Sequence, residues 1–546
     1  KNKGILKKIL TAILSGALRC WFDSSGRLLK KRRSKKMALM NQLKEQLNDR
    51  KQLTENGAVG YATSGKELLD FNFAVSSMRN WSKKDIINNF IKVYYENSPL
   101  AIKWLFYLRD IRGNGMGERR TFRVCFKWLV DHHLDDVLNV IKLIPEYGRY
   151  DDWLCLLHSK AGNIVLDEIR KQIEEDVLNM KQGHPVSLLA KWLPSINTSS
   201  IETRMQAKYI AKKLNYTEKE YRQLLSSLRG YMQVVEVKMS SRNWQDIDYS
   251  QVSSRANLIY GSAFLKNDEK RRREFLDQLS DGETKINADT LFPSDIVHKY
   301  YQDNSRWECD LGEKNDTLEA LWDALPNYVH DDASTLVVRD GSGSMNVNVS
   351  GTRVRAIEIS TALSIYFSQY CKGQFHNKFI TFSSRPEIVD LTNTTCLKDK
   401  LEICGTHGDC SNTDLNKVFD LILNTALQNN LKQEDLPKNI LIVSDMEFDY
   451  MIHNSIYGST TEALLESIKE KYKKNGYQMP RLVFWNVCSR TNTIPLQENK
   501  AGIVLVSGFN PAVYNMVLSN ELDPYKCLLE QVNSKRYDPI EENLRA

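Results

Sequence analysis

The residues with the clearest chemical promise read Asp340-Gly341-Ser342-Gly343-Ser344-Met345. One carboxylate and two hydroxyls stand at alternate positions with glycines between them, which makes a loop of hard oxygen donors. Mg²⁺ takes about six oxygens in near-octahedral geometry and keeps several waters, so Asp340 would supply charge while Ser342 and Ser344 supply neutral oxygens. Two further oxygens are expected from neighbouring segments. Thr413 lies in Ser411-Asn412-Thr413-Asp414-Leu415 at a helix start, and Asp445 lies in Val443-Ser444-Asp445-Met446 at a strand end. The expected cofactor is Mg²⁺ or another divalent cation. The bland alternative is a Gly/Ser turn without metal, with Asp414 as a helix cap. Arg339, just before the motif, is expected to find an acid and to leave the ligand set alone. No general base, Cys–His pair or phosphate-cradling loop converges on these residues in sequence, and His407 alone is too little. The expectation is a binding site, not an enzyme.

A loop of this kind needs a rigid frame, and from Ser334 onward the sequence provides one. Short apolar runs alternate with amphipathic segments: Thr335–Val338, Lys378–Phe382, Asn439–Val443, Arg481–Val487 and Gly502–Val506 read as strands, with helices near 353–372, 414–428, 460–475 and 511–519. Such alternation gives βαβ units and a mostly parallel, doubly wound sheet, whose ligands sit at the carboxyl ends of the strands. From about 65 to 330 the pattern is helical instead. Apolar residues recur at three and four in Ile86–Tyr95, Ala101–Leu108 and Phe122–Val130, and again in Val137–Leu143, Ile164–Val177, Ile201–Leu214 and Tyr221–Leu228. Short breaks at Gly113-Asn114-Gly115, Pro145–Gly148 and Gly183-His184-Pro185 join helices into pairs, as in a HEAT-like solenoid with a concave binding face. No strict repeat period is visible. The fold class expected is therefore multidomain: an all-α helical-repeat module at 54–332, then an α/β domain at 333–546, preceded by a leader at 1–53.

Charge belongs mainly to that leader. Residues 1–39 hold twelve Lys and Arg against one acid, Asp23, which leaves a net −4 of the total +7 for the rest of the 546-residue chain. Basicity of the whole is thus no argument for nucleic acid; only a local patch is. The apolar stretch Gly4–Leu18 between basic blocks has the look of a targeting or membrane-surface segment. We favour upstream, non-native sequence, since Met37 and Met40 both precede a plausible start. Elsewhere no apolar run approaches the ~20 residues needed to span a bilayer. Ten Cys without framework spacing read as reduced thiols of a cytoplasmic protein. Cys404, His407 and Cys410 have a loosely zinc-like look but lack a second pair at standard spacing.

In order and context, Asp340, Ser342, Ser344, Thr413 and Asp445 resemble the metal-ion-dependent adhesion site of von Willebrand factor A domains. That resemblance implies a coordination position filled by an acidic group of a partner. The helical half holds further distinctive phrases: Asn56–Gly65, Leu108–Arg119, Ile144–Trp153 and Ala190–Ser195. With the metal box they resemble the domain-of-unknown-function 2828 family, from about residue 54 to the end of the chain. That family is similar in layout to the Ro autoantigen or TROVE proteins, a set of helical repeats closed by a von Willebrand A domain. The resemblance implies binding of small structured or misfolded RNA.

For RNA contacts the residues must speak for themselves. Arg109, Arg112, Arg119, Arg120 and Arg123 cluster five guanidiniums around a Gly-rich turn, a composition suited to phosphate. Arg149 follows another turn, and Lys191 stands beside Trp192, whose face suits base stacking. Two competing expectations stay open: Arg119 and Arg123 pairing with Asp110 and Glu118, and Trp192 lying in the core. An alternative function is a metal-dependent protein–protein scaffold engaging an acidic partner residue.

Overall fold

The computed structural model describes residues 51–301, 311–329, 334–349, 352–383, 385–407, 414–448, 461–495, 503–518, 521 and 523–545. The basic leader at 1–39 lies outside them. Gln52–Ala546 forms one compact unit. Two short strands open it, β1 (Lys51–Leu53) and β2 (Val59–Tyr61), paired with each other.

The helical half follows. Its helices of seven residues or more are α1 (Glu67–Phe73), α2 (Lys83–Glu96), α3 (Ser98–Arg109), α4 (Arg120–His132), α5 (Gly162–Gln182), α6 (Ile201–Lys213), α7 (Glu218–Tyr231), α8 (Ser254–Asn267), α9 (Glu269–Ser280), α10 (Pro293–Tyr300) and α11 (Asp316–Asp323). Their ends are made as the sequence asks. The Ser82 hydroxyl caps α2 by accepting from the Asp85 N–H, and Thr217 with Glu220 forms a capping box on α7. Consecutive helices pack on one another, α2 against both α3 and α4, and α8 against α9. Helix α3 is the buried axis of this half: every residue from Ala101 to Arg109 is buried, the charged Lys103 and Arg109 included.

Six strands make the sheet of the C-terminal half: β3 (Thr335–Asp340), β4 (Lys378–Phe382), β5 (Ile388–Asp390), β6 (Asn439–Ser444), β7 (Arg481–Asn486) and β8 (Ile503–Ser507), in the order β5-β4-β3-β6-β7-β8. All neighbours are parallel except the edge pair β4–β5. Strand β3 is buried along its whole length, as a central strand covered on both faces must be. The expected strands are all present, and the helical module followed by a mainly parallel sheet is the fold observed. Helices α12 (Ala356–Tyr370), α13 (Leu397–Thr406), α14 (Leu415–Gln428) and α15 (Thr461–Lys474) connect the strands. Two more, α16 (Pro524–Val532) and α17 (Asp538–Arg545), return to the helical half and pack on α3.

The chain leaves β3 first toward β4 and later crosses to β6 on the other side. The crevice between the carboxyl ends of β3 and β6 is therefore the topological switch point, where open α/β sheets hold their ligands. Both halves share one hydrophobic cluster, running from Leu68 through Trp104 and Val338 to Ile540. No helix among the described residues is long and apolar enough to cross a membrane.

Candidate functional site

Strand β3 ends at Asp340 and β6 at Ser444, with Arg339 opposite Val443 in register. The two strand ends are tied from above by helix α12, whose Ser360 hydroxyl donates to the Asp340 carbonyl at 3.2 Å and to the Val443 carbonyl at 3.1 Å. Asp340 is fully buried. Its Oδ1 accepts from the Ser342 N–H at 2.9 Å and its Oδ2 from the Ser444 hydroxyl at 2.5 Å. The Ser342 and Ser344 hydroxyls lie 2.9 Å apart. Between them, Gly343 is exposed, and a Cβ built there would meet nothing within 4 Å, so the loop tip opens outward. Buried Met345 anchors the far end of the loop.

Asp445 follows β6 directly and is 1% exposed. Its Oδ1 accepts from the Glu447 N–H at 3.1 Å, while Oδ2 lacks a hydrogen-bond donor and faces Arg490 Nη2 at 3.2 Å. Burial first, and then the Asp340 charge, push the Asp445 carboxyl far above the usual carboxylate range; Arg490 and Ser344 pull the other way. Met446 turns the chain in the left-handed region at φ 63°, a conformation a side chain rarely adopts. Two acids that repel each other in a buried crevice, with two hydroxyls beside them, suit a small divalent cation. The residues present fit that group: Asp340, Ser342, Ser344 and Asp445 converge. Thr413, the fifth expected donor, lies outside the described residues.

Among the described residues Arg339 meets no acid. Its Nη1 donates to the Cys404 carbonyl at 3.2 Å and its Nη2 to the His407 carbonyl at 2.8 Å, closing the end of α13. Carbonyls at a helix C-terminus carry partial negative charge, which serves a guanidinium as well as a carboxylate does. Cys404 is buried, its thiol pushed up to about 11 by that burial, and Cys410 lies outside the described residues. Among the described residues no group of three or more His, Cys, Asp or Glu is placed to hold a metal. The set around Asp340 falls outside that description because half of its candidate donors are hydroxyls.

Some residues of the site carried no signal. Glu447 is buried, and its carboxylate collects the Glu55, Arg490 and Thr491 N–H groups at 2.7, 2.7 and 2.9 Å and the Ser489 hydroxyl at 3.1 Å. The segment Thr54–Tyr61 is thereby strapped beside the Asp340–Met345 loop. Thr54 donates to the Phe448 carbonyl at 2.6 Å, Asn56 to the Glu447 carbonyl at 2.6 Å, and Tyr61 bridges Ile494 in antiparallel fashion. These partners lie hundreds of residues away, beyond the reach of any spacing rule. Ser444, by contrast, stood in plain view beside Asp445.

The arginines of the helical half do converge. The turn after α3, the helical turn Asp151–Leu154 and the segment around Trp192 come together, joining three of the phrases that carried the family resemblance. Arg109 is 3% exposed and its Nε donates to Asp152 Oδ2 at 2.8 Å, so it has no face for a phosphate. Arg123 binds Asp152 at 2.6 Å and Asp151 at 2.9 Å, not the acids expected for it. Glu118 pairs instead with Arg79, and Asp110 with Arg536. Arg120 spends its guanidinium on the Met78 and Trp81 carbonyls. Arg149 holds Asp151 and lies over the Trp192 ring, 3.8 Å from its centroid; Lys191 is 6.0 Å from the same ring. Trp192 is half-buried beneath that cation, not sealed in the core. Arg112 and Arg119 are exposed, and among the described residues neither guanidinium forms a hydrogen bond or ion pair. Partial burial, then the charges of Arg149 and Arg123, disfavour the charged form of Arg119, which marks a genuine crowd of cations.

Residues 54–158 and 151–334, together more than half of the chain, match the family described as domain of unknown function DUF2828. Residues 334–542 match a second family, domain of unknown function DUF7788. An uncharacterized protein of Acanthamoeba polyphaga mimivirus is 27% identical over 529 residues, covering 89% of this chain and 88% of the viral one. The crystal structure of the Deinococcus radiodurans RO (RSR) protein aligns over 81% of this chain and 92% of its own, with a TM-score of 0.41 and 13% identity.

Proposed function

The chain belongs to the DUF2828 family, and from its geometry we propose that it is a non-catalytic binding protein with a divalent-cation site at the sheet edge. The observation that carries this reading is the pair of buried carboxylates, Asp340 and Asp445, set beside the paired Ser342 and Ser344 hydroxyls at the switch point. Mg²⁺ suits this all-oxygen set, with Thr413 as the expected fifth donor. When bound, the cation supplies a coordination position that takes a carboxylate or phosphate oxygen of a partner. The protein's own part is to hold the donors in place: Ser360 fixes the strand ends, Ser444 orients Asp340, and Gly343 leaves the approach open. The Ser342 and Ser344 hydroxyls bond each other, and the Ser444 hydroxyl bonds Asp340, rather than an imidazole, which supports binding over catalysis. The free cysteines fit a reducing, cytoplasmic setting. Calorimetric titration with MgCl₂ tests the site: wild type should bind one equivalent and Asp340→Asn none. Equal binding by both would sink the reading.

A second reading assigns RNA to the helical half, and one observation favours it. Exposed Arg119 stands beside Arg123 and Arg149 at a half-buried tryptophan, so phosphate and base chemistry are offered together. RNA recovered with the purified chain, and released steeply as salt rises, supports it. A chain that carries no RNA and ignores structured RNA at low salt excludes it.

A further inference from the structure

Arg490, on the loop after β7, touches three groups at once. Its Nε binds the Glu55 carboxylate, its Nη1 donates to the Ser344 carbonyl at 3.1 Å, and its Nη2 lies 3.2 Å from Asp445 Oδ2. The last contact differs in kind from the others. Nη2 and Oδ2 are both buried and close, yet neither has a hydrogen-bond partner, so the contact is charge against charge without alignment. One oxygen of the cation site is therefore neutralised but not bonded. The alternative acid for this guanidinium is already in place, because Glu55 belongs to the Thr54–Tyr61 strap that Glu447 and Phe448 hold against the same loop.

We propose that Arg490 is the resident counter-cation of the site: its guanidinium holds Asp445 until a divalent cation arrives, and Glu55 then takes it over. The proposal rests on the cation reading given above. Two like charges a few ångströms apart in a buried crevice repel strongly, so a cation between Asp340 and Asp445 and the Nη2 group cannot both stay beside Oδ2. The other charged groups nearby fix the direction of the exchange. Glu447 has its oxygens filled by the Glu55, Arg490 and Thr491 N–H groups and by the Ser489 hydroxyl, and Asp340 by Ser342 and Ser444. Glu55 is the acid with capacity for Arg490. Affinity at the site is then set by competition, and the N-terminal strap is held more firmly once the cation is bound.

The test is Mn²⁺ binding to the full chain, followed by electron paramagnetic resonance of the free ion. Arg490→Gln removes the competitor and should tighten Mn²⁺ binding about tenfold. Glu55→Gln strengthens the hold of Arg490 on Asp445 and should weaken binding about threefold. Hydrogen exchange at residues 54–61 should slow on Mn²⁺ addition in wild type and stay unchanged in Glu55→Gln. Opposite shifts in the two variants establish the proposal. If wild type binds Mn²⁺ and Asp340→Asn does not, but neither charge variant shifts the affinity, the cation site stands and the counter-cation falls. If neither wild type nor Arg490→Gln binds Mn²⁺, both fall. Should Arg490→Gln lose its fold by urea titration in EDTA, the sign of the Glu55→Gln shift decides.

Discussion

Among the described residues, two crowds of like charge invite comparison, and each is settled in its own way. In the helical half the crowd is positive, and the chain supplies its own acids. Asp152, fully buried, stands between Arg109 and Arg123, while Asp151 joins Arg123 to Arg149. At the sheet edge the crowd is negative. There the cation set against Asp445 is Arg490, which it shares with Glu55 and holds without a hydrogen bond. A crowd balanced from within is architecture, with ligand chemistry left to its exposed fringe. A crowd balanced loosely, in a crevice with hydroxyls attached, leaves room for the ion proposed above.

The largest effect that bears on this contrast is Asp152→Ala. It strands buried Arg109 without its acid and should cost about 3–5 kcal/mol in urea unfolding. A loss below about 1 kcal/mol would make the arginine cluster a surface network instead. At the sheet edge the expectation runs through the ligand. MgCl₂ at a hundredfold excess over Kd should stabilise wild type by about 2.7 kcal/mol, and Asp340→Asn should abolish the gain, read from the same unfolding curves. Between these and the smallest effect lies Trp192→Ala, expected to weaken single-stranded RNA binding by about 1–3 kcal/mol in fluorescence anisotropy if a base stacks there. Smallest is Arg119→Ala. Stability should move by less than about 0.5 kcal/mol, while the slope of log affinity against log salt for RNA falls by about one. A large stability loss here would show that the exposed fringe is structural too.

The candidate loop stood out in the sequence because its parts are local. Asp340, Ser342 and Ser344 sit within five residues, and the apolar runs behind them announce the strands. Asp445 was found through its strand. The edge strand β5 and helix α13 were not anticipated, since Ile388-Val389-Asp390 is too short for a period and Leu397–Thr406 is short, with an apolar stripe of only Leu397, Leu401 and Cys404. The returning helices α16 and α17 also went unread. The arginine cluster was visible as composition, but its bonding was not. Arg123 finds Asp152 across 29 residues, and Arg536 finds Asp110 across 426. Distance along the chain hid Arg490, Glu447 and Glu55 in the same way.

The strap at Thr54–Tyr61 has a consequence in time. Thr54 bonds Phe448, a residue that emerges 394 positions later. At translation rates of about 5–20 residues per second, that is a wait on the order of 20–80 s. Throughout it the first described segment of the chain is without its partners, while the helices behind it are already free to pack. The neighbourhood of that loop is therefore completed only after Phe448 and Ile494 have been made, and an ion captured there would report that Thr54–Tyr61 has met its partners.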